Sequence, residues 1–130
     1  MKSLLAKLFR NEEQPEDLDT PIHIKAIFKL MYEELEIGIL SYENGTWMFE
    51  YSDAFKHQDE LDVLIDFPQK NKKYEETYLW PFFAHRIPGL GQPQVRYIIE
   101  HEKIDPHNEV DLLKRFGKKS IANPFELGIA

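Results

Sequence analysis

The sequence contains no cysteine among its 130 residues. Disulfide bonds, thiolate metal sites and cysteine nucleophiles are therefore excluded. The lack of cysteine agrees with a reducing compartment, and we expect a cytoplasmic protein. Long apolar runs are missing too, because no stretch approaches the roughly 18 apolar residues of a membrane-spanning helix. The apolar stretch within Met1–Arg10 is too short and too interrupted by charge for a signal peptide.

Positive charge is scarce in this chain. Lysine and arginine number 16 against 23 aspartates and glutamates, which gives a formal net charge of −7. Nucleic-acid binding that is independent of base sequence rests on Lys and Arg contacts, so direct nucleic-acid binding is not expected. A partner with a basic surface suits this charge better. A DNA-contacting accessory protein stays an alternative because of one local basic cluster, formed by Lys114, Arg115, Lys118 and Lys119.

Motifs of known catalytic sites are also missing. The sequence has no Gly-rich phosphate loop, no kinase catalytic loop and no G-x-S-x-G. The histidines at positions 23, 57, 85, 101 and 107 include no i, i+4 pair with the carboxylate that a helical zinc site requires. We therefore expect no metal, no cofactor and no enzymatic activity. The alternative is a small enzyme with an unrecognised site of carboxylates and His85.

The residues that are present suffice for one folded domain. Hydrophobic residues make up 42% of the chain and aromatic residues 13%, which can supply a core. Met1–Arg10 has leucines at helical spacing with basic residues between them, which predicts a helix that docks on the domain or a neighbour. A membrane-surface helix is the alternative. Asn11–Pro21 reads as an acidic linker, so we divide the chain into a helix and linker, 1–21, and a domain, 22–130.

The first part of the domain has the patterns of β-strands. Ile22–Met31 alternates apolar and polar residues, and Leu61–Phe67 does the same. Between them, Asn44-Gly45 joins Leu35–Tyr42 to Thr46–Tyr51, which predicts a type I′ hairpin. Alternation in the second of these strands places Trp47, Phe49 and Tyr51 on one face, typical of a core. The segment Gln69–Glu76 reads as a charged loop.

The second part has the patterns of helices. Ser52–Glu60 could form one turn, a short helix begins at Pro81, and Gln92–Lys103 and Pro106–Gly117 are longer helices. Asp105 is a plausible cap of the last one, and alternation over Phe125, Leu127 and Ile129 predicts a short final strand. This order predicts an α+β fold, in which a small curved antiparallel sheet packs with C-terminal helices.

The densest aromatic run, Tyr78–Gly91, lies where the predicted strands give way to helices. Its polar pair, His85-Arg86, could be the outer face and C-terminal charge of a helix. It could instead contact a partner protein together with neighbouring aromatic residues, since Trp and Arg are typical anchors of interfaces. Trp80 would also suit a core position. The candidate partner-binding residues are Trp80, Phe82, Phe83, His85 and Arg86.

Several segments together resemble a known family. They are Glu36-Ile37-Gly38-Ile39-Leu40, Trp47-Met48-Phe49-Glu50-Tyr51, Leu79-Trp80-Pro81-Phe82-Phe83, Arg86-Ile87-Pro88-Gly89 and Asp111-Leu112-Leu113-Lys114-Arg115-Phe116-Gly117. In this order they are similar to the N-terminal subdomain of HipA-type serine/threonine kinases, over roughly Ile22 to Leu127.

The resemblance implies a function without chemistry of its own. In the family, this subdomain precedes a kinase core that binds ATP. A free-standing subdomain resembles the small, HipS-like component of split, three-part toxin–antitoxin systems. The resemblance therefore implies a non-catalytic module that binds a HipA-like kinase core protein encoded nearby and restrains it. A partner-facing apolar patch should then be present on its surface.

Overall fold

The computed structural model describes residues 19–130, which form an open five-stranded antiparallel sheet and four helices. The strands are β1 (Ala26–Tyr32), β2 (Leu35–Glu43), β3 (Thr46–Tyr51), β4 (Tyr74–Glu76) and β5 (Glu126–Ile129). The helices are α1 (Asp53–Lys56), α2 (Pro81–Ala84), α3 (Pro93–His101) and α4 (Glu109–Phe116). The strand order in the sheet is β4-β3-β2-β1-β5. The predicted α+β class is confirmed.

The hairpin of β2 and β3 forms where the sequence predicts it. Asn44 and Gly45 have φ angles of 54° and 77°, the left-handed values that a type I′ turn requires at both central positions. Trp47, Phe49 and Tyr51 all point into the core and are buried. The predicted aromatic face of β3 is therefore confirmed.

The first predicted strand is correct in its faces but not in its start. Ala26, Phe28 and Leu30 are buried on the core side, as the alternation predicts. The strand itself begins at Ala26 rather than at Ile22. Upstream of it, the side chain of Ile22 is 70% exposed and lies beside Gly45 of the hairpin turn.

The predicted strand Leu61–Phe67 is wrong. The segment is irregular and wraps around the buried side chain of Tyr51, whose hydroxyl donates to Phe67 O (2.6 Å) and accepts from Leu64 N (2.8 Å). Leu64 and Phe67 are buried, whereas Ile65 points to solvent. A hydroxyl from a distant strand therefore satisfies backbone groups that strand pairing would otherwise have to satisfy.

The segment Gln69–Glu76 is not entirely a loop, because its end forms the edge strand β4. Tyr74 pairs with Phe49 of β3, is buried, and packs its ring against Phe67 at 5.0 Å. One buried aromatic residue in a charged segment is thus enough to add a strand. At the opposite edge, the predicted final strand is confirmed as β5, which pairs with β1.

The helices occur where the sequence predicts them, with shifted boundaries; the predicted helix Gln92–Lys103, for example, is α3 (Pro93–His101). Ser52 caps α1 through its side chain, and Pro81 opens α2. Helix α4 begins at Glu109 rather than at Pro106, because Asn108, not Asp105, accepts from the third residue on, Asp111 N (3.2 Å). The cap assigned to Asp105 is therefore wrong.

Within residues 19–130, no helix has the length and apolar content needed to cross a bilayer. The predicted helix Met1–Arg10 and most of the predicted linker lie outside the described residues.

Candidate functional site

Trp80 and Phe83, at the start and the middle of α2, lie in the core. Their exposed fractions are 6% and 0%, and both rings surround Phe67, at centroid distances of 5.0 Å and 6.0 Å. Phe67 in turn stacks on Phe49 of β3 at 4.3 Å. The run of aromatic residues therefore joins the helix to the sheet, as its position between strands and helices suggests. Burial leaves Trp80 and Phe83 little surface to offer a partner in this fold.

Arg86 is also buried, which corrects its interpretation as a charge on the outer face of a helix. Its side chain is surrounded by oxygen acceptors from the C-terminal part of the chain. Nη1 donates to Gly117 O (3.1 Å) and Lys118 O (3.4 Å). Nη2 donates to Asn123 Oδ1 (3.0 Å) and Phe125 O (2.9 Å). Arg86 thereby fixes the segment that leads from α4 into β5.

The charge of Arg86 has no carboxylate among these partners. The guanidinium lies over the ring of Phe82, 5.4 Å from its centroid. Burial lowers its pKa from 12.5 to about 10, since desolvation disfavours the cation. The group still carries its proton at neutral pH. A planar fork of donors can satisfy several carbonyl groups at once, which a lysine ammonium does less well.

Of the other two candidate residues, Phe82 is half-buried and His85 is exposed. Phe82 N donates to the Asp66 carboxylate (Oδ2, 2.9 Å), which places the loop containing residue 65 beside the start of α2. Partner contact by Trp80, Phe82, Phe83, His85 and Arg86 stays a prediction. Of these five residues, Phe82 and His85 have accessible side-chain surface that a partner could contact.

Exposed apolar residues do occur around this same helix start. Ile65 is 90% exposed and Tyr78 is 54% exposed, and Pro81 is exposed as well. The ring of Tyr78 lies edge-on to that of Trp80, at 6.4 Å. We call Ile65, Tyr78, Pro81 and Phe82 the junction surface. Its four residues are apolar or aromatic.

The sequence pattern concealed two members of this surface. Alternation over Leu61–Phe67 places Ile65 on the inner face of a strand that does not form, so the pattern does not reveal its exposure. Tyr78 precedes the buried pair Leu79 and Trp80 in the same aromatic run, and nothing in that run distinguishes the exposed ring from the buried ones. The proline at the first position of the helix gives no usable signal here, because Leu79 and Trp80, the two residues just before it, are both buried.

A second exposed surface is the side of the sheet that faces away from the core. Three rows of paired residues cross it. They are Ile27, Ser41, Met48 and Glu75; then Gly128, Lys29, Ile39 and Glu50; then Glu126, Met31 and Glu36. We call these residues, with Lys25, Glu43 and Thr46, the open sheet face. Its apolar centre consists of Ile27, Met31, Ile39 and Met48.

Metal binding and perturbed pKa values are the two properties of the titratable residues within 19–130 that bear on a reactive site. Among residues 19–130, no group of three or more histidines, aspartates or glutamates is placed to hold a metal ion. Tyr51, whose pKa is raised to about 12 by burial, uses its hydroxyl to hold Leu64 and Phe67. His101 stacks on Tyr97 with ring centroids 5.3 Å apart.

The basic cluster at the end of α4 is partly neutralised. Arg115 forms a two-pronged pair with Glu102, with Nε–Oε1 at 2.8 Å and Nη2–Oε2 at 3.1 Å. This pair raises the pKa of the Arg115 guanidinium and lowers that of the Glu102 carboxyl. The pair links α4 to the C-terminus of α3. It also neutralises one of the four positive charges of the basic cluster, which leaves less charge to attract a phosphate group.

The family model of the HipA N-terminal domain matches residues 28–122, from within β1 to the segment before β5. A search of the curated proteins finds no match. The matched range covers well over half of the 130 residues and includes the β2–β3 hairpin, α2, α3 and α4. The chain therefore belongs to the HipA N-terminal domain family.

Proposed function

We propose that this chain is a non-catalytic, cytoplasmic protein-binding module that pairs with a HipA-like kinase core protein and restrains it. The match of its sequence to the HipA N-terminal domain carries this proposal. Membership of the family suggests a role related to toxin–antitoxin systems. In the proposed arrangement the kinase core is supplied by a second chain, and this domain acts by contact with it.

The surface of the described residues supports a contact function. The junction surface combines an exposed isoleucine, tyrosine and proline with the half-buried Phe82 around the start of α2. Exposed apolar patches of this kind are typical of interaction sites, and tyrosine is enriched in interfaces because its ring is both large and able to hydrogen-bond. His85, exposed just after α2, would lie at the rim of such a contact.

Co-expression with the HipA-like kinase encoded nearby tests the proposal. A tagged copy of this chain should capture the kinase as a stable complex, and kinase activity should fall when the complex forms. Failure to recover any HipA-like kinase with a folded bait would contradict the proposed pairing. Recovery with unchanged or increased activity would contradict restraint but leave the pairing intact.

A matched pair of tyrosine variants tests the surface itself. Tyr78→Ala should weaken kinase binding by about 2 kcal/mol if the tyrosine is an anchor of the interface. Tyr97→Ala on α3 is the control, since Tyr97 is similarly exposed, at 65%. Isothermal titration with the purified kinase measures both, and circular dichroism checks that both variants fold. Equal affinities for the two variants and the original chain would place the interface elsewhere.

A further inference from the structure

The open sheet face has an apolar centre that the core does not use. Ile27 is 52% exposed, and Met31, Ile39 and Met48 are half-buried. None of the four belongs to either hydrophobic cluster of the described residues. Ile39 lies diagonally between Ile27 on β1 and Met48 on β3, so the side chains are close enough to form one patch.

The charges around this patch are mostly negative. Five glutamates and two lysines lie on the face: Glu36, Glu43, Glu50, Glu75, Glu126, Lys25 and Lys29. Both lysines are already paired, Lys25 with Glu43 at 3.3 Å and Lys29 with Glu36 at 3.7 Å. The other three glutamates have no cationic partner among residues 19–130. A segment that is apolar and basic would complement this face.

The chain itself contains such a segment. Met1–Arg10 has four large apolar residues after its first, Leu4, Leu5, Leu8 and Phe9, together with Lys2, Lys7 and Arg10, and no acidic residue. We propose that Met1–Arg10 binds the open sheet face of its own chain, with its leucines and phenylalanine on the apolar centre and its basic groups beside the unpaired glutamates. This inference is independent of the proposed kinase pairing, which concerns the junction surface.

The connection is long enough for this binding. Asp19 is held near the start of α4, where its N–H donates to His107 O at 2.8 Å. The carbonyl of Thr20 accepts from Tyr42 of β2 at 3.3 Å, so the chain passes the hairpin end of the sheet. The eight residues from Asn11 to Leu18 can span at most about 29 Å, whereas a sheet of five strands is about 19 Å wide.

Paramagnetic relaxation in the full chain tests the proposal directly. Because the sequence has no cysteine, Ser3→Cys gives a single attachment point for a nitroxide. Because it has three methionines, ¹³C-methyl methionine labelling gives three signals, one from Met1 and two from the open sheet face, Met31 and Met48. Both face signals should lose intensity and regain it when ascorbate reduces the nitroxide.

Controls distinguish this binding from other occupants of the face. A nitroxide at Glu100→Cys, on the exposed side of α3, should leave Met31 and Met48 unchanged. Lys7→Glu with Arg10→Glu in the Ser3→Cys chain should reduce the intensity loss. Undiminished face signals in the Ser3→Cys chain would overturn the proposal.

Two further outcomes would assign the segment elsewhere. Nitroxide-bearing chains without ¹³C can be mixed with ¹³C-labelled chains without nitroxide. Intensity loss in that mixture would show that a second copy supplies the segment, and would overturn binding within one chain. The original chain could instead bind vesicles containing phosphatidylserine, while the face signals of the Ser3→Cys chain stay undiminished without vesicles. That result would assign the segment to membrane surfaces.

Discussion

Replacing Arg86 by methionine should destabilise the domain more than any other change of an arginine. Methionine keeps much of the apolar volume but removes the four hydrogen bonds to Gly117 O, Lys118 O, Asn123 Oδ1 and Phe125 O. These acceptors would then have to find water or remain unpaired at a partly buried position. The segment between α4 and β5 should therefore lose its attachment.

The magnitude follows from two opposing terms. Each hydrogen bond to a charged group contributes about 1.5–3 kcal/mol. Against this, burial of the cation costs about 3 kcal/mol, since its pKa falls from 12.5 to about 10. Four bonds outweigh that cost, and we expect Arg86→Met to lower the free energy of unfolding by about 3–5 kcal/mol. Arg86→Lys keeps the charge but loses the fork and should lose about 2 kcal/mol or more.

Urea denaturation at neutral pH measures the change, with Arg96→Met on the exposed side of α3 as the matched control. That control should stay within about 0.5 kcal/mol of the original chain. Hydrogen exchange gives a local readout, because the N–H of Leu127 donates to Lys118 O at 2.9 Å. Its exchange should accelerate in Arg86→Met. A loss below about 1 kcal/mol with unchanged exchange at Leu127 would refute this account of Arg86.

Three further predictions concern single backbone or side-chain features. Between pH 10 and 12, Tyr51 is ionised in the unfolded chain but protonated in the folded one, since its folded pKa is about 12. The contribution of Tyr51 to the free energy of unfolding is complete below pH 10 and should fall by about 2–3 kcal/mol over this range. The urea midpoints of Tyr51→Phe should lack that fall. A Cβ at Gly38 would lie 2.6 Å from Glu50 O, so Gly38→Ala should cost about 2–3 kcal/mol, whereas Gly128→Ala, with open space, should be tolerated in the same thermal melts. Lys103 has a φ of 57°, so Lys103→Gly should add about 1 kcal/mol of stability in urea denaturation and Lys103→Ala should add none.

Local signals explain the parts of the fold that the sequence predicts correctly. Asn44-Gly45 specifies its turn through the φ angles of two adjacent residues, and the flanking alternation then determines which side chains face inward. Ser52 and Pro81 mark helix starts by the same kind of nearest-neighbour chemistry. Each of these features depends on contacts between residues that are close in sequence, and a local sequence pattern can therefore predict it.

Long-range partners explain the parts that it does not. Leu61–Phe67 has the alternation of a strand, but the hydroxyl of Tyr51, 13 and 16 residues away from its two partners, holds it in an irregular path. The acceptors of Arg86 lie 31 to 39 residues further along the chain. No periodicity in the segment around Arg86 indicates these acceptors, so the sequence pattern does not show that this arginine is buried.

The position of Arg86 also shows that the fold extends beyond the range of the family match. The family match stops at residue 122, yet two of the acceptors of Arg86 belong to Asn123 and Phe125, just beyond it. From there the chain enters β5, which pairs with β1 and buries Leu127 in the same core as Trp80 and Phe83. Because one buried guanidinium ties α2 to this strand, residues 123–129 are part of the domain and complete the edge of its sheet. Strand β5 contributes Glu126 to the open sheet face. That face therefore depends on Arg86, which belongs to the aromatic run Tyr78–Gly91 near the junction surface.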